Sequence, residues 1–471
     1  MTASPGDLSK LSAVALAAAI REKRVSSEEA TAATLDRLAA AHEVTHCVIS
    51  MEKDEALAAA RAADKAVAAG TARGALAGVP LAHKDMFDRA GKIASWGAKI
   101  RAEKPPAKDA TVIARLKDAG SIQVAALHLT EFALGPTGHN YVLGHARNPW
   151  DPTRITGGSS AGTAAAVAYG AIPAGLGSDT AGSLRVPAAC CGVVSIKPTW
   201  SRISRAGAMP LAPCLDTVGY IARHVEDLAM LLGVSAGPDA RDPATSSLPV
   251  PDYMARLDDP VRGLKIGVDA ALIGDAHPEV QKLVEATLAV FARIGLERRA
   301  CTFANWQAID HLTQLSQLPE AASEHYHYLR SRPNDYGPQV RARLEAAHFV
   351  PGVDHVTAKR ARGTILKRTL ETTFKDCDVA ILPVLPDPLP TIAELDVAGS
   401  PSVAATLGRF IRFTRVINYF GLPTLVLPTP RNGGLPNGIQ IIGRPFAEAR
   451  LLAIGKAYQR EVPPEIAQRL G

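Results

Sequence analysis

The stretch from Thr156 to Thr199, "TGGSSAGTAAAVAYGAIPAGLGSDTAGSLRVPAACCGVVSIKPT", sets Ser159, Ser160, Ser178 and Ser183 among closely spaced glycines. Glycine permits the tight backbone that functional loops use, and three chemistries fit. As a phosphate cradle, "GGSSAGTA" offers a Gly-rich loop before a helix, but it lacks the P-loop lysine and the G-x-G-x-x-G spacing. As a nucleophile elbow, Gly158 to Gly162 is G-x-S-x-G with Ser160 at its centre, yet "NPWDPTRIT" upstream is polar and broken by prolines where an elbow needs an apolar strand. The third uses two serines and a lysine. Ser159 and Ser183 are joined by a small-residue helix and the strand "AIPAGLG", which can bring their ends together. Lys84, closing the apolar run "GVPLAHKD", would then be the base, because burial lowers a lysine's pKa. The plain alternatives are an ion pair of Lys84 with Asp85 and ordinary turn roles for the serines.

A metal site is the other chemistry to weigh. "HEVTH" places His42 and His46 four residues apart around Glu43, the pattern of a helical zinc peptidase site. Val44, Thr45, Val48 and Ile49 favour a strand, however, so the segment reads as a connection from helix to strand. His83, His128, His139 and His145 show no metal spacing and read as packing or surface residues. No metal and no cofactor are expected.

The elements that must position these groups alternate. Two amphipathic helices fill the first 45 residues, the second opened by a capping box of Ser26 and Glu29. A strand and an Ala-rich helix follow in "CVISMEKDEALAAARAADKAVAAG". Then come the strand "GVPLAHKD", the helix "TVIARLKDAG", the strand "SIQVAAL" and the helix "TAAAVAYG". Such alternation implies α/β layering. Ser235 to Asp252 is rich in Pro, Ser and Asp and reads as a loop or linker. Beyond it lie "LKIGVD", a helix from Pro278 to Ile294 stopped by Gly295, the strands "DVAILPV", "LPTLVLPT" and "GIQIIG", and a helix from about Phe446 to Arg460.

Composition narrows the classes. The 471 residues are 47% hydrophobic and 21% charged, which describes a folded globular chain and excludes a disordered one. The net charge of +6 is scattered, so neither nucleic acid nor a membrane surface is expected as partner. Six cysteines, Cys47, Cys190, Cys191, Cys214, Cys301 and Cys377, form no C-x-x-C and fit a reducing compartment. The N-terminus lacks the basic segment of a signal peptide, and no apolar run reaches the roughly 20 residues of a membrane span. A cytoplasmic location is expected.

"AGVPLAHKD", "NPWDPTRITGGSSAGTAAAVAYG", "GLGSDTAGSLRVPAACCGVVSIKPTWSRISRAGAMPLAPCLDTVG", "GLPTLVLP" and "GLPNGIQIIGRPF" closely resemble, in order, the blocks of the amidase signature family of serine hydrolases. The agreement is dense from about Gly78 to Gly219 and thinner afterwards. The resemblance implies one domain over 1–471, an α/β fold of α/β/α layers around a large mixed β-sheet, with residues 262–471 covering the substrate site. It implies Ser183 as nucleophile, Ser159 as a bridging serine in an unusual cis peptide, and Lys84 as neutral base. The backbone N–H groups of Thr180, Ala181, Gly182 and Ser183 would hold the oxyanion, with Ser160, Asp179 and Arg185 as supports behind them. The implied reaction is hydrolysis of a carboxamide through an acyl-Ser183 intermediate.

Two departures bear on the substrate. "DTAGS" stands where many members read "DTGGS", and "AALHLTEFA" replaces "GKTNMDEFA". Pocket contributors by position are Met86, Phe87, Ala133, Thr156 and residues from about Leu315 to Phe349. The family's glutamine-hydrolysing amidotransferase component would need an acid before Asn418, but "GRFIRFTRVINYFGLP" has Arg409, Arg412 and Arg415 and no Asp or Glu. With "EHYHYLRSRPNDYGPQVRARLEAAHFVPG", which resembles stand-alone amidases, this favours a self-sufficient hydrolase of small-molecule amides. A carbamate hydrolase is the alternative, the transfer-RNA amidotransferase component comes third, and a homodimer is kept open as the assembly.

Overall fold

The computed structural model describes residues 8–396, 400, 402–431 and 433–467. The first seven residues of the N-terminal helix expected from sequence lie outside this set. That helix is Ala13–Arg21, followed by Ser27–Thr45. The Ser26 hydroxyl accepts the Glu29 N–H at 3.0 Å while Glu29 Oε2 accepts the Ser26 N–H at 2.8 Å, so the capping box closes both ways.

Eleven strands form one mixed sheet: β1 (Val48–Met51), β2 (Pro80–Lys84), β3 (Ile122–Leu127), β4 (Ala174–Asp179), β5 (Val194–Lys197), β6 (Thr217–Ala222), β7 (Lys265–Val268), β8 (Glu297–Ala300), β9 (Val379–Pro383), β10 (Thr424–Pro428) and β11 (Gly438–Gly443). Their order is β1-β3-β2-β4-β6-β5-β10-β11-β9-β7-β8. β2 runs parallel to β3 and β4, and β7 parallel to β8 and β9, while β4, β5, β6, β10 and β11 pair antiparallel with one another.

Alternation along a strand sends successive side chains to opposite faces. Leu425 and Leu427 of β10 join the cluster that contains Leu228 and Leu231 of the Val225–Ser235 helix and Leu451 and Ile454 of the Glu448–Glu461 helix. Val426 between them joins Ala164, Ala168, Val186 and Ala189 from the helices Ala161–Tyr169 and Arg185–Cys191. Helices therefore cover both faces, which is the α/β/α layering expected.

The Ala161–Tyr169 helix must approach the sheet closely, and this explains its small residues. A Cβ at Gly162 would stand 2.3 Å from the Cys47 carbonyl oxygen, and one at Gly177 in β4 would stand 2.8 Å from Ser160 Oγ. Parallel pairing of Ala82 with Gly175 and His83 with Leu176 brings the C-terminal ends of β2 and β4 side by side. Lys84 and Ser178 are thereby neighbours in space.

The Ser235–Asp252 stretch is a loop pinned to the body. Asp239 Oδ2 accepts the hydroxyls of Ser204 and Thr111 at 2.5 and 2.6 Å, and Asp242 pairs with Arg205 at 2.9 Å. No helix among the described residues is long and apolar enough to cross a membrane.

Candidate active site

Lys84 ends a strand in which every residue is buried, and it makes no ion pair among the described residues. Its Nζ donates to Ser159 Oγ at 2.6 Å and to Ser178 Oγ at 2.9 Å. Asp85, the alternative partner, is occupied elsewhere: its Oδ2 accepts the Ser95 N–H at 2.7 Å. Burial penalises the ammonium and brings Lys84 down to about 7, with Asp179 and Asp216 pulling weakly the other way.

Ser159 is buried, and the Gly158–Ser159 peptide bond is cis. Its loop is held by its backbone. The Ser159 carbonyl accepts the Thr130 N–H at 3.2 Å, and the Gly158 N–H donates to the Pro136 carbonyl at 2.7 Å. Ser183 is 8% exposed, and its carbonyl accepts the Ser160 N–H at 3.2 Å, which ties the two serine loops together. Ser160 itself is fully buried, with its hydroxyl donating to the Ser178 carbonyl at 3.3 Å, so it cannot serve as the exposed serine of an elbow.

Behind Ser183 stands a sealed ion pair. Arg185 donates to Asp179 through Nε and Nη2, both at 3.0 Å, and each side chain is wholly buried. Burial disfavours the Asp179 carboxylate, but Arg185, Lys197 and Asn418 outweigh it and hold the carboxyl well below its usual range. Asn418 donates to Asp179 Oδ1 at 2.8 Å and accepts from Arg185, while Gln440 accepts from Arg185 Nη1 at 2.8 Å. Asp179 also folds the Ser183 loop, accepting the N–H of Gly182 at 2.8 Å and of Leu184 at 3.1 Å.

This last contact corrects one expectation. The Gly182 N–H is spent on Asp179 Oδ1, so it is not free for an oxyanion. The N–H groups of Thr180, Ala181 and Ser183 have no such internal acceptor among the described residues.

Two hollows adjoin beside Ser183. A cavity of about 230 Å³ is lined by Met86, Ala133, Ser178, Met209 and Asp216, with Arg241 and Asp242 contributed by the pinned loop. A crevice of about 20 Å³ is lined by Ser183 together with Ala181, Gln317, Arg343 and Ile411, and Ala133, Thr180 and Leu211 border both. Of the residues expected at the pocket, Met86 lines the cavity and Ala133 both hollows, and the region from Leu315 to Phe349 supplies Gln317 and Arg343 to the crevice. Phe87 and Thr156 are corrections, since neither lines these hollows. Phe87 bridges to Ala208 and is 1% exposed in the core, and Thr156 is buried with its hydroxyl turned onto the Gly157 carbonyl at 2.9 Å.

Sequence reasoning assigns no role to Ser178 or Gln440, and it covers Arg343 only as one unsingled member of the Leu315–Phe349 region. Arg343 is the one charged residue lining the crevice among the described residues, and it donates to a backbone carbonyl, that of Leu134, at 3.1 Å. It forms no ion pair among the described residues. Burial and the like charge of Arg415 draw it down to about 10, which leaves it protonated at neutral pH. The run "VRAR" carries no signal that would single it out.

The other motif residues take packing roles. The helix runs on through Thr45, and His46 steps off it at φ 55°, leaving its ring 6.0 Å from that of His42. His42 Nδ1 accepts the Val48 N–H at 3.2 Å. His83 faces Gln123, His128 faces the Gly144 carbonyl, and His139 faces Thr137 and the Ile392 carbonyl. No group of three or more His, Cys, Asp or Glu suited to a metal occurs among the described residues.

Comparison with known proteins gives a consistent set of likenesses. The amidase family model matches residues 29–452. The chain is 36% identical over 477 residues to a glutamyl-tRNA(Gln) amidotransferase subunit from Moorella thermoacetica, covering 96% of this chain and 97% of that protein. Among solved structures, one from a vestigial complex bearing on the origins of an s-triazine catabolic enzyme superposes with a TM-score of 0.89 at 30% identity, over 97% of this chain and all of that one. The peptide amidase PAM, solved with the competitive inhibitor chymostatin, gives a TM-score of 0.86 at 26% identity, over 98% of this chain and 99% of that one.

Proposed function

The chain belongs to the amidase family, and from that premise we propose that it hydrolyses a linear carboxamide bearing a carboxylate, through an acyl intermediate on Ser183. The observation that carries the chemistry is the buried Lys84, 2.6 Å from Ser159 Oγ and brought to about 7. A neutral amine has two N–H bonds and one lone pair. With one N–H directed to Ser178 Oγ at 2.9 Å, the lone pair can take the Ser159 proton.

Ser159 in turn accepts the proton of Ser183, whose Oγ attacks the amide carbon. The carbonyl oxygen becomes an oxyanion facing the N–H groups of Thr180, Ala181 and Ser183, each such donor supplying on the order of 3 kcal/mol. Collapse breaks the C–N bond, and the proton held by Lys84 returns through Ser159 to the leaving nitrogen. Water, activated by the same relay, then attacks the acyl ester and releases the acid and Ser183.

Arg343 supports the carboxylate. A protonated guanidinium in the Ser183 crevice with no acidic partner among the described residues calls for an anion there, and a carboxylate meets it with charge-assisted hydrogen bonds. A second reading, favoured by the likeness to the Moorella amidotransferase protein, takes glutamine as the amide. Glutamine adds an ammonium, for which the crevice holds no acidic residue among the described ones; the carboxylates of Asp216 and Asp242 line the adjoining cavity instead. The crevice gives no reason to prefer a carbamate to an amide.

Product release from the monoamide of glutaric acid, butyramide and glutamine tests the reading. The expected order places the glutaric monoamide about 10- to 100-fold above butyramide in kcat/KM, with Arg343→Met abolishing that advantage. Glutamine tenfold better than the glutaric monoamide would instead favour the amidotransferase reading.

A further inference from the structure

The turn walling the Ser183 crevice is fastened at both ends to the helix that carries Arg343. Its residues Glu131, Phe132 and Ala133 form a single helical turn in which Phe132 and Ala133 hold φ of 49° and 56°. Thr130, just before it, donates its N–H to the Ser159 carbonyl at 3.2 Å, which anchors the chain where it enters the turn. At the start of the turn both oxygens of the Glu131 carboxyl accept the N–H of Gly337, at 3.0 and 3.2 Å. Gly337 immediately precedes the Pro338–Ala347 helix. At the end of the turn, the Leu134 carbonyl accepts Arg343 Nη1 of that same helix at 3.1 Å.

Three features make the Glu131 contact more than a helix cap. Glu131 is 2% exposed and has no ion-pair partner among the described residues, and a buried carboxyl in that state is costly to keep. Gly337 has φ −61°, open to any residue, so its backbone does not demand glycine. The demand comes from the carboxyl instead, because a Cβ on Gly337 would stand 2.6 Å from Glu131 Oε2. The ring of Phe132 then packs edge-on against His325 at 4.4 Å and against Tyr336 at 5.4 Å, closing the same joint from the side.

We propose that Glu131 is a positioning residue for the substrate: by holding the Gly337 N–H it sets the Pro338–Ala347 helix against the Glu131–Ala133 turn and so places the Arg343 guanidinium in the Ser183 crevice. The inference rests on the reading of Arg343 as partner of a substrate carboxylate. Glu131 touches neither substrate nor reacting atoms, and its effect is felt through Arg343 alone.

The test compares Glu131→Leu, which removes the acceptor, with Gly337→Ala, which leaves every polar group in place and pushes the joint open. Each is assayed with the glutaric monoamide and with butyramide, alone and combined with Arg343→Met, after thermal unfolding has established that the variants are folded. The expected result is a KM for the glutaric monoamide raised about tenfold in both variants, with kcat little changed and butyramide unaffected. In the Arg343→Met background neither change has a further effect. Equal losses on both substrates, or full additivity with Arg343→Met, would overturn the positioning role. Parent-like Glu131→Leu and Gly337→Ala enzymes beside a defective Arg343→Met overturn it alone, whereas a parent-like Arg343→Met enzyme overturns the carboxylate reading and this role with it.

Discussion

The two walls of the Ser183 crevice are built on different terms. The wall formed by Lys84 with the stretch from Thr156 to Thr199 is sealed: Lys84, Ser159, Asp179 and Arg185 are each 0% exposed, and their polar groups are spent on one another, on nearby backbone or on the side chains of Ser178, Asn418 and Gln440. The facing wall, from the helices between Trp306 and Thr372, is loosely covered, with Phe349 87% and Val353 71% exposed. It offers the crevice a guanidinium, Arg343, with no acidic partner among the described residues. The contrast assigns the work. Burial sets the protonation state and geometry of the reacting groups, and these tolerate no change. The charge left open on the other wall sets which amide is received, and it can change without disturbing the chemistry.

That division can be broken most severely at the sealed wall. Lys84→Ala removes the base and is expected to cost on the order of 10⁴-fold in kcat with either amide. Retention of most activity would show that proton transfer runs elsewhere. Asp179→Asn leaves Arg185 buried without its counter-charge and is expected to destabilise the fold by about 3–5 kcal/mol, read from urea denaturation. An unchanged midpoint would mean that the wall is not held by this pair.

A smaller effect sharpens the comparison through pH. Burial holds Lys84 at about 7, so below that pH the ammonium cannot accept a proton. The expected kcat/KM falls about tenfold per unit below the apparent value and levels off above it. The same acid limb is expected for butyramide and the glutaric monoamide, because it belongs to the sealed wall. The smallest effect is at the open wall: Phe349→Ser is expected to change stability by no more than about 0.5 kcal/mol and to leave kcat unchanged. A large loss there would mean that the exposed ring is covered in the working protein.

Legibility in the sequence follows the same division. The roles proposed for Lys84, Ser159 and Ser183 can be argued from the sequence because these residues sit at the ends of short local units: an apolar strand, a small-residue helix and a Gly-rich turn. The alternation of strands and helices likewise fixes the layers. What cannot be read lies in contacts between distant segments. Arg185 meets Asn418 and Gln440 across more than two hundred residues, and no spacing rule links them. Arg343 enters the crevice only because its helix docks on the Glu131 turn. Phe87 and Thr156 mislead because they lie near the proposed site residues in sequence while their side chains turn into the core. The Gly182 N–H misleads because the return of the Asp179 carboxylate over its own loop is a side-chain event that the pattern "DTAGS" does not encode.

The central claim is that Ser183 is a nucleophile activated through Ser159 by a buried, neutral Lys84. Its most direct test is to treat the folded protein with a fluorophosphonate, measure the intact mass and map the modified peptide, with Lys84→Ala and an EDTA-treated sample alongside. The account expects one adduct, on Ser183, formed equally after EDTA and lost in Lys84→Ala. A folded protein that takes no label, or takes it on Ser160 or another serine, would contradict it.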